Sequence, residues 1–176
     1  MNGAVVEYGK DITGHGTDVY MAPRDWCCVE NERFGVALLM KDSQLIEFDC
    51  IHSDKTDFGH LGDGSQIFSY IANDWLQMHT PGGSHLNYRF RYAITSYSGG
   101  YRNARIPQIA ERFVTPVQTV VISPQTGTLP EGKHRFLDVD TDGQFLCLKR
   151  AEDGNGLIVR FYTHGDTVSF GKTLSV

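Results

Sequence analysis

The chain has 176 residues, enough for one medium-sized domain or two small ones. Its 40% hydrophobic and 21% charged residues are typical of a globular protein, and its formal net charge of -5 argues against binding to nucleic acid or to an anionic membrane surface. No apolar run approaches the roughly 20 residues that a membrane-spanning helix needs.

Short runs rich in Val, Phe, Ile and Trp predict β-strands through the first half of the chain. Three of them are RDWCCVE, RFGVALLM and QLIEFDCI, which are separated by NE and KDS. The next stretch, GSQIFSYIANDWLQM, fits a strand or a short helix equally well. The run HLNYRFRYAITSY predicts one long strand of about 40 Å at 3.3 Å per residue. Its apolar face would carry Leu86, Tyr88, Phe90, Tyr92 and Ile94.

A helix and a connecting segment are predicted next. NARIPQIAERF places Ile106, Ile109, Ala110 and Phe113 at helical spacing, and Pro107 suits the first turn of a helix. Four of the six prolines lie between residues 107 and 130, which indicates a crossover between subdomains. Short strands then resume in HRFLDV, GQFLCLKR, GLIVRFYTH and TVSFGKTL. The pattern predicts an all-β protein built as a sandwich.

The four cysteines predict free, buried thiols. Cys27 and Cys28 are adjacent and would point to opposite faces of a strand, so they cannot pair with each other easily. No C-x-x-C motif is present with Cys50 or Cys147 to indicate a zinc knuckle or a redox pair.

The stretch DVDTDGQFLCLK resembles the first half of a calcium-binding EF-hand loop. Asp138, Asp140 and Asp142 occupy ligand positions and a glycine follows, but position 12, which needs a bidentate glutamate, is Lys149. The flanking residues also alternate as strands do. We therefore predict a β-hairpin with TDG at its tip and no metal site here.

A second cluster, HSDKTDFGH, offers zinc- or manganese-type ligands in His52, Asp54, Asp57 and His60. The helical i, i+4 spacing that preforms such sites is missing, and Lys55 competes for the carboxylates. A polar surface loop is the preferred interpretation. A small metal-dependent enzyme built on this loop is a third hypothesis beside the two given below.

Other catalytic motifs are missing from the sequence. It contains no G-x-S-x-G elbow and no glycine-rich phosphate loop. Carboxylate pairs for glycoside hydrolysis stay open, because their spacing is spatial and not sequential. Trp26 and Trp75 are either core residues or platforms for sugar rings.

The segment LCLKRAEDGNGLIVRFYTHGD resembles the closing part of glycoside hydrolase family 38, the α-mannosidases. Lys149, the turn AEDGNG, Arg160 and Phe161-Tyr162 match the family pattern, whereas Thr163 stands where asparagine is usual. RDWCCVENERFGVALLMKD is similar to the family's tryptophan strand, turn and Gly-Val-Ala strand. IFSYIANDWLQMHTPGGSHLNYRFRYAITSYSGGY and IPQIAERFVTPVQTVVI resemble its Phe-Arg-Tyr strand and its crossover into the last domain. The similarity covers residues 11 to 174.

This resemblance implies a galactose-mutarotase-like β-sandwich portion over residues 1–105 and a helix with a Pro/Gly-rich crossover over 106–132. A small terminal antiparallel β-subdomain would follow over 133–176. The family's catalytic α/β domain, with its zinc ligands and aspartate nucleophile, precedes this region, and none of those motifs occurs here. The chain is then expected to be an inactive C-terminal portion of a zinc-dependent retaining α-mannosidase, with no catalytic residue, metal site or cofactor of its own.

The expected partners are the catalytic domain of the parent enzyme and a carbohydrate, with no nucleic acid and no membrane. A surface that the catalytic domain would cover also lets copies of the isolated chain associate. The expected sugar contacts are Trp26 in APRDW and His79 and His85 in MHTPGGSH. The alternative function is an autonomous carbohydrate-binding module with a lectin-like sandwich.

Overall fold

A computed structural model describes residues 5–8, 10–11, 20–43, 45–49, 51, 65–71, 87–128, 132–133, 137 and 144–162. Within them, short strands in small antiparallel sheets dominate, as expected for an all-β protein. The chain divides into two compact units, the first formed by Val6–Val117 and the second by Met1–Val5 together with Gln118–Val176. No helix in these ranges is long and apolar enough to cross a membrane.

The first unit is built around a three-stranded antiparallel sheet. Strand β1 (Trp26–Glu30) and strand β2 (Gly35–Met40) form a hairpin, and β5 (Tyr92–Tyr97) pairs with the other side of β2. Asn31 shapes the turn between β1 and β2, because its side-chain oxygen accepts hydrogen bonds from the backbone N–H groups of Arg33 and Phe34. The strand predictions for RDWCCVE and RFGVALLM are confirmed.

A second, two-stranded sheet in this unit pairs β3 (Ile46–Phe48) with β4 (Ile67–Ser69). Its residues Ile46 and Phe48 form one buried cluster with Cys27 and Met40 from the first sheet. A chain of hydroxyl groups also joins the two sheets. Ser69 lies between the Tyr92 hydroxyl at 2.7 Å and the Ser43 hydroxyl at 3.0 Å. The stretch GSQIFSYIANDWLQM, which fitted a strand or a short helix equally well, contains the strand β4 near its start.

Two helices cover the other face of the three-stranded sheet. They are α1 (Gly100–Asn103) and α2 (Ile106–Val114). Ile106 and Ala110 are fully buried against Ala37 and Leu39 of β2, and Phe113 packs beside them. The predicted helix with proline in its first turn is confirmed. Ile109, which was predicted to share the buried face, is instead 37% exposed, because the contact runs along positions 106, 110 and 113.

The long strand predicted over residues 85–97 is wrong in length. Of the described residues in this run, only Tyr92–Tyr97 form a strand, and residues 87–91 lie outside it, although the Arg91 carbonyl still accepts the backbone N–H of Lys41. The predicted apolar face is also not the buried one, since Tyr88 is 60% and Ile94 74% exposed. The other face of the strand, which carries Ala93 and Tyr97, packs toward the helices.

After α2 the chain runs from residue 116 to 127 without a helix, strand, turn or bend. The role of this segment as a crossover between subdomains stays a prediction. The second unit holds β6 (Gln144–Arg150) and β7 (Leu157–Tyr162), an antiparallel hairpin in which Phe145 and Phe161 meet edge to face at 5.9 Å. The turn between them is AEDGNG, where Gly154 and Gly156 take positive φ angles. Both strands and this turn were predicted.

Candidate functional site

Trp26, the tryptophan predicted to contact sugar, lies at the start of β1 on the side facing the helices. Its ring packs on Tyr101 of α1 with ring centroids 5.3 Å apart and an angle of 37° between the ring planes. It also flanks the buried cluster that contains Ala37 and Ile106. Trp26 is partly buried, so one portion of the indole completes the core and another stays accessible.

A carboxylate and two tyrosines lie at the opposite end of the same face. The Glu30 side-chain oxygen Oε2 accepts hydrogen bonds from the Tyr97 hydroxyl at 2.8 Å and from the backbone N–H of Tyr101 at 2.9 Å. The Arg102 guanidinium lies over the Tyr101 ring, 5.6 Å from its centroid, and its Nε donates to the Tyr101 hydroxyl at 3.0 Å. Glu30 thereby links β1 to β5 and to the first residues of α1.

The strand register explains the hydrogen bond between Tyr97 and Glu30. Glu30, Gly35 and Tyr97 are direct neighbours across β1, β2 and β5. Because Gly35 has no side chain, the Tyr97 ring lies across the middle strand and its hydroxyl reaches Glu30. A Cβ atom placed on Gly35 would come within 2.6 Å of the Tyr97 hydroxyl oxygen, so the Tyr97 ring would have to move away.

The two thiols of β1 are poor nucleophiles, and only Cys28 lies on the face that carries Tyr97 and Tyr101, since Cys27 packs on the opposite face. Burial raises the pKa of Cys27 to about 12. Burial also raises the pKa of Cys28, against the opposing effect of its hydrogen bond with Tyr97. Since the thiolate is the reactive form, both side chains stay protonated and inert near neutral pH. Burial and hydrogen bonds with Cys28 and Glu30 raise the pKa of Tyr97, so the phenol stays a hydrogen-bond donor.

A charged pair precedes Trp26 within the APRDW segment. Arg24 Nε lies 3.1 Å from Asp25 Oδ2. Burial raises the pKa of Asp25, and the neighbouring Arg24 opposes this shift. The carbonyl of Asp25 accepts the backbone N–H of Met40 at 2.9 Å, which holds the segment against β2. Trp26 therefore has a polar group on its N-terminal side and an aromatic partner from α1.

Several predicted features lie outside the described residues. These are the expected sugar contacts His79 and His85, the second tryptophan Trp75, the HSDKTDFGH cluster, Cys50 and the turn at Asp138–Asp142. Among the described ranges, Cys27, Cys28 and Cys147 are free thiols, and no group of three His, Cys, Asp or Glu side chains is arranged to hold a metal ion. Lys149 lies in β6 and pairs with Glu152 at 2.9 Å. Trp26 as a sugar contact stays a prediction.

Sequence reasoning missed Glu30, Tyr97 and Tyr101. The strand period does place Trp26, Cys28 and Glu30 on one face of β1, which is a signal that the sequence contains. The register that brings Tyr97 across Gly35, and the position of α1 above Trp26, depend on pairing between residues far apart in the chain. Compared with known proteins, the chain matches no family model, no curated protein and no solved structure.

Proposed function

We propose that the chain is a non-catalytic C-terminal domain of an α-mannosidase-like glycoside hydrolase. In this proposal it packs on the catalytic domain of that enzyme and forms part of the wall of its carbohydrate cleft. The first unit would be a portion of a galactose-mutarotase-like β-sandwich, and the second would be the small terminal β-subdomain. Zinc and the nucleophile would belong to the catalytic domain.

The observation that carries this proposal is the arrangement of the family-like segments in space. The segment that resembles the family's tryptophan strand and Gly-Val-Ala strand forms β1 and β2, and β5 of the same sheet begins at the tyrosine of the Phe-Arg-Tyr sequence. The crossover segment and the strand–turn–strand of β6 and β7 follow in the same order as in the resemblance. Two of the four family-like segments therefore share one sheet, which supports a common domain for these two.

The chemistry around Trp26 supports a contact role and not a catalytic one. An indole packed beside a phenol ring is suited to stacking on a sugar ring. Burial raises the pKa of Cys28, the thiol on this face, and Glu30 is already engaged by Tyr97 and Tyr101. In this proposal Trp26, His79 and His85 contact substrate that the catalytic domain holds.

The test begins with the coding sequence upstream of Met1. We expect an α/β domain with zinc-ligand motifs, either in frame or in a neighbouring reading frame. That domain, produced separately, should hydrolyse aryl α-mannosides much faster when this chain is added, whereas the chain alone should not hydrolyse them. The proposal is wrong if no such domain is encoded nearby, or if the domain neither binds the chain nor responds to it.

An autonomous carbohydrate-binding module is the second candidate. The observation that favours it is the Trp26–Tyr101 aromatic pair, which needs no second domain to be formed. Calorimetric titration of the isolated chain with mannose oligosaccharides decides between the two. The module predicts measurable affinity that Trp26→Ala abolishes and that Phe34→Ala, at an exposed aromatic in the β1–β2 turn, leaves unchanged. The absence of any sugar affinity would rule it out.

A further inference from the structure

The segment Val117–Ile122, called the crossover strand below, has the composition of a β-strand but no strand partner within the described residues. Five of its six residues are β-branched, the type that favours strands. Its apolar side chains face solvent, with exposed fractions of 94% for Val117, 78% for Val120, 95% for Val121 and 65% for Ile122. A contiguous exposed apolar run of this kind marks an interaction surface.

Prolines limit the crossover strand on both sides. Pro116 and Pro124 have no backbone N–H, so regular strand pairing can extend only over the residues between them. No charged residue occurs from 115 to 128. Natural exposed strands are usually protected by charges or by a proline inside the strand. The crossover strand lacks both protections, and it runs without a turn or bend.

Among the described residues, the sheet of the first unit has an edge strand that no other strand covers. β5 is the outermost strand of its sheet. The N–H of Lys41 donates to the carbonyl of Arg91 at 3.1 Å, so Arg91 directs its backbone groups toward β2. In an antiparallel pair, the backbone N–H and C=O groups of successive residues point alternately toward the paired strand and away from it. The N–H and C=O groups of Tyr92, Ile94 and Ser96 therefore point outward, and no strand pairs with them in the described part of the chain.

The edge and the crossover strand fit each other in length and chemistry. Both are six residues long. Ile94 is 74% exposed, and Val36, on the same face of the neighbouring strand and opposite Ser96, is 36% exposed, so this face of the sheet edge is incompletely covered. A strand added to β5 would place alternate side chains of the crossover strand next to Ile94 and would satisfy the outward backbone groups.

We propose that two copies of this chain associate by reciprocal strand addition, with the crossover strand of each copy pairing to the outer edge of β5 in the other. Both components are present in every chain in equal number. Two additions related by a twofold axis form a closed dimer, and the second forms at high effective concentration once the first is made. The proposal is independent of the function proposed above.

The experiment measures the mass of the full chain by light scattering after size exclusion, over a concentration series. The 19.7 kDa chain should shift toward twice that mass as the concentration rises. Lysine on an added strand or on a sheet edge opposes pairing, so V120K/V121K and Ile94→Lys should each weaken the dimer at least about ten-fold, equal to about 1.4 kcal/mol. All three positions are exposed, and circular dichroism should show unchanged monomer structure.

The control is Q125K/T126K, which adds the same charge to exposed positions just beyond Pro124 and should leave the dimer unchanged. Mixing V120K/V121K with Ile94→Lys provides the decisive readout. The mixed pair keeps one intact crossover strand facing one intact edge, so a heterodimer should form more tightly than either variant forms a homodimer.

Four results would overturn the proposal. The first is a monomer at every concentration up to about 1 mM. The second is a dimer weakened by V120K/V121K but not by Ile94→Lys, which means that crossover strands stack on one another. The third is the reverse pattern, which means that two β5 edges pair directly. The fourth is a mixture of the two variants that associates no better than either alone.

Discussion

Gly35 lies beneath the ring of Tyr97, its direct partner across β2 and β5. The absence of a side chain at this one position lets a tyrosine on the edge strand reach a carboxylate two strands away. Cross-strand neighbours normally contact each other through their side chains. Here the middle residue provides space instead, and the contact skips one strand.

Gly35→Ala should destabilise the chain by about 1–3 kcal/mol, because the new methyl group displaces the Tyr97 ring and breaks its hydrogen bond to Glu30. Urea unfolding followed by fluorescence measures the change. Gly127→Ala is the matched control, since nothing lies within 4 Å of the methyl group that it adds. Its effect should stay within about 0.5 kcal/mol. Equal effects at both positions would contradict the packing described for Tyr97.

Cys27 should resist alkylation while the chain is folded. With a pKa of about 12, roughly one thiol in ten thousand is ionised at pH 8, and the side chain is only 8% exposed. Iodoacetamide labelling resolved by fragment mass spectrometry should therefore leave Cys27 unmodified in buffer and modified in urea. Cys147, half-buried in β6, is the internal comparison. Labelling of Cys27 at the rate of a free thiol would refute its burial.

The raised pKa of Cys27 also makes the stability of the fold depend on pH. The pKa of Cys27 is raised above its ordinary value of 9.0, so the folded state favours the protonated thiol. Its contribution to stability is fully present below pH 9 and is lost as the pH rises toward 12. Cys27→Ala should lessen the fall in urea midpoint between pH 8 and pH 11 relative to the unsubstituted chain. An unchanged pH dependence would show that other groups account for the fall.

Helix α2 shows how an element acquires its buried face. The helical spacing of apolar residues and the proline in the first turn are local features, and they predict the helix. The face that is buried depends on the sheet, which packs against Ile106, Ala110 and Phe113. Ile109 belongs to the same apolar pattern but is turned partly toward solvent.

Two substitutions on this helix separate packing from helix propensity. Ile106→Ala should cost about 2–5 kcal/mol, because it leaves a cavity at a fully buried position. Ile109→Ala makes the same chemical change at a 37% exposed position three residues along, and it should cost less than about 1 kcal/mol. Thermal unfolding followed by circular dichroism measures both. Similar losses would mean that α2 does not dock through positions 106 and 110.

In β5 the local pattern predicted neither the length of the strand nor its buried face. The alternation of apolar residues through Tyr88, Tyr92 and Ile94 predicts a long strand with that face buried. The structure pairs only Tyr92–Tyr97, and the two-stranded sheet of β3 and β4 covers only part of this face, where Tyr92 packs. Alternation identifies a possible face, but only the neighbouring sheet determines how much of it is covered.

The whole molecule consists of two compact units, and the chain passes between them at Val5–Val6 and again at Val117–Gln118. The predicted three-part division at residues 105 and 132 stays a prediction, although α2 packs on the sheet of the first unit. The segment after α2 is exposed along its length. Loops of this kind are preferred sites of proteolysis, because a protease needs a strand-like, unpaired backbone.

Thermolysin, which cleaves before large apolar residues, should therefore make its first cut between residues 117 and 128 when the chain is dilute. Mass spectrometry of the early products locates the cut. At concentrations where the proposed dimer forms, the same cut should become slower, whereas V120K/V121K should be cleaved at a rate independent of concentration. A first cut inside β1, β2 or α2 would contradict the two-unit description.

The sequence by itself determined the local elements: the strands around Trp26, Val36 and Leu148, the helix after Arg105, the glycine-rich turn before Leu157 and the proline-rich connection. These depend on periodicity, turn chemistry and backbone restriction, which act over a few residues. Tertiary structure decided the row of Glu30, Gly35 and Tyr97, the exposure of Ile94 and the face of α2 that is buried. Those features depend on register and packing between residues far apart in the chain, and no local pattern encodes them.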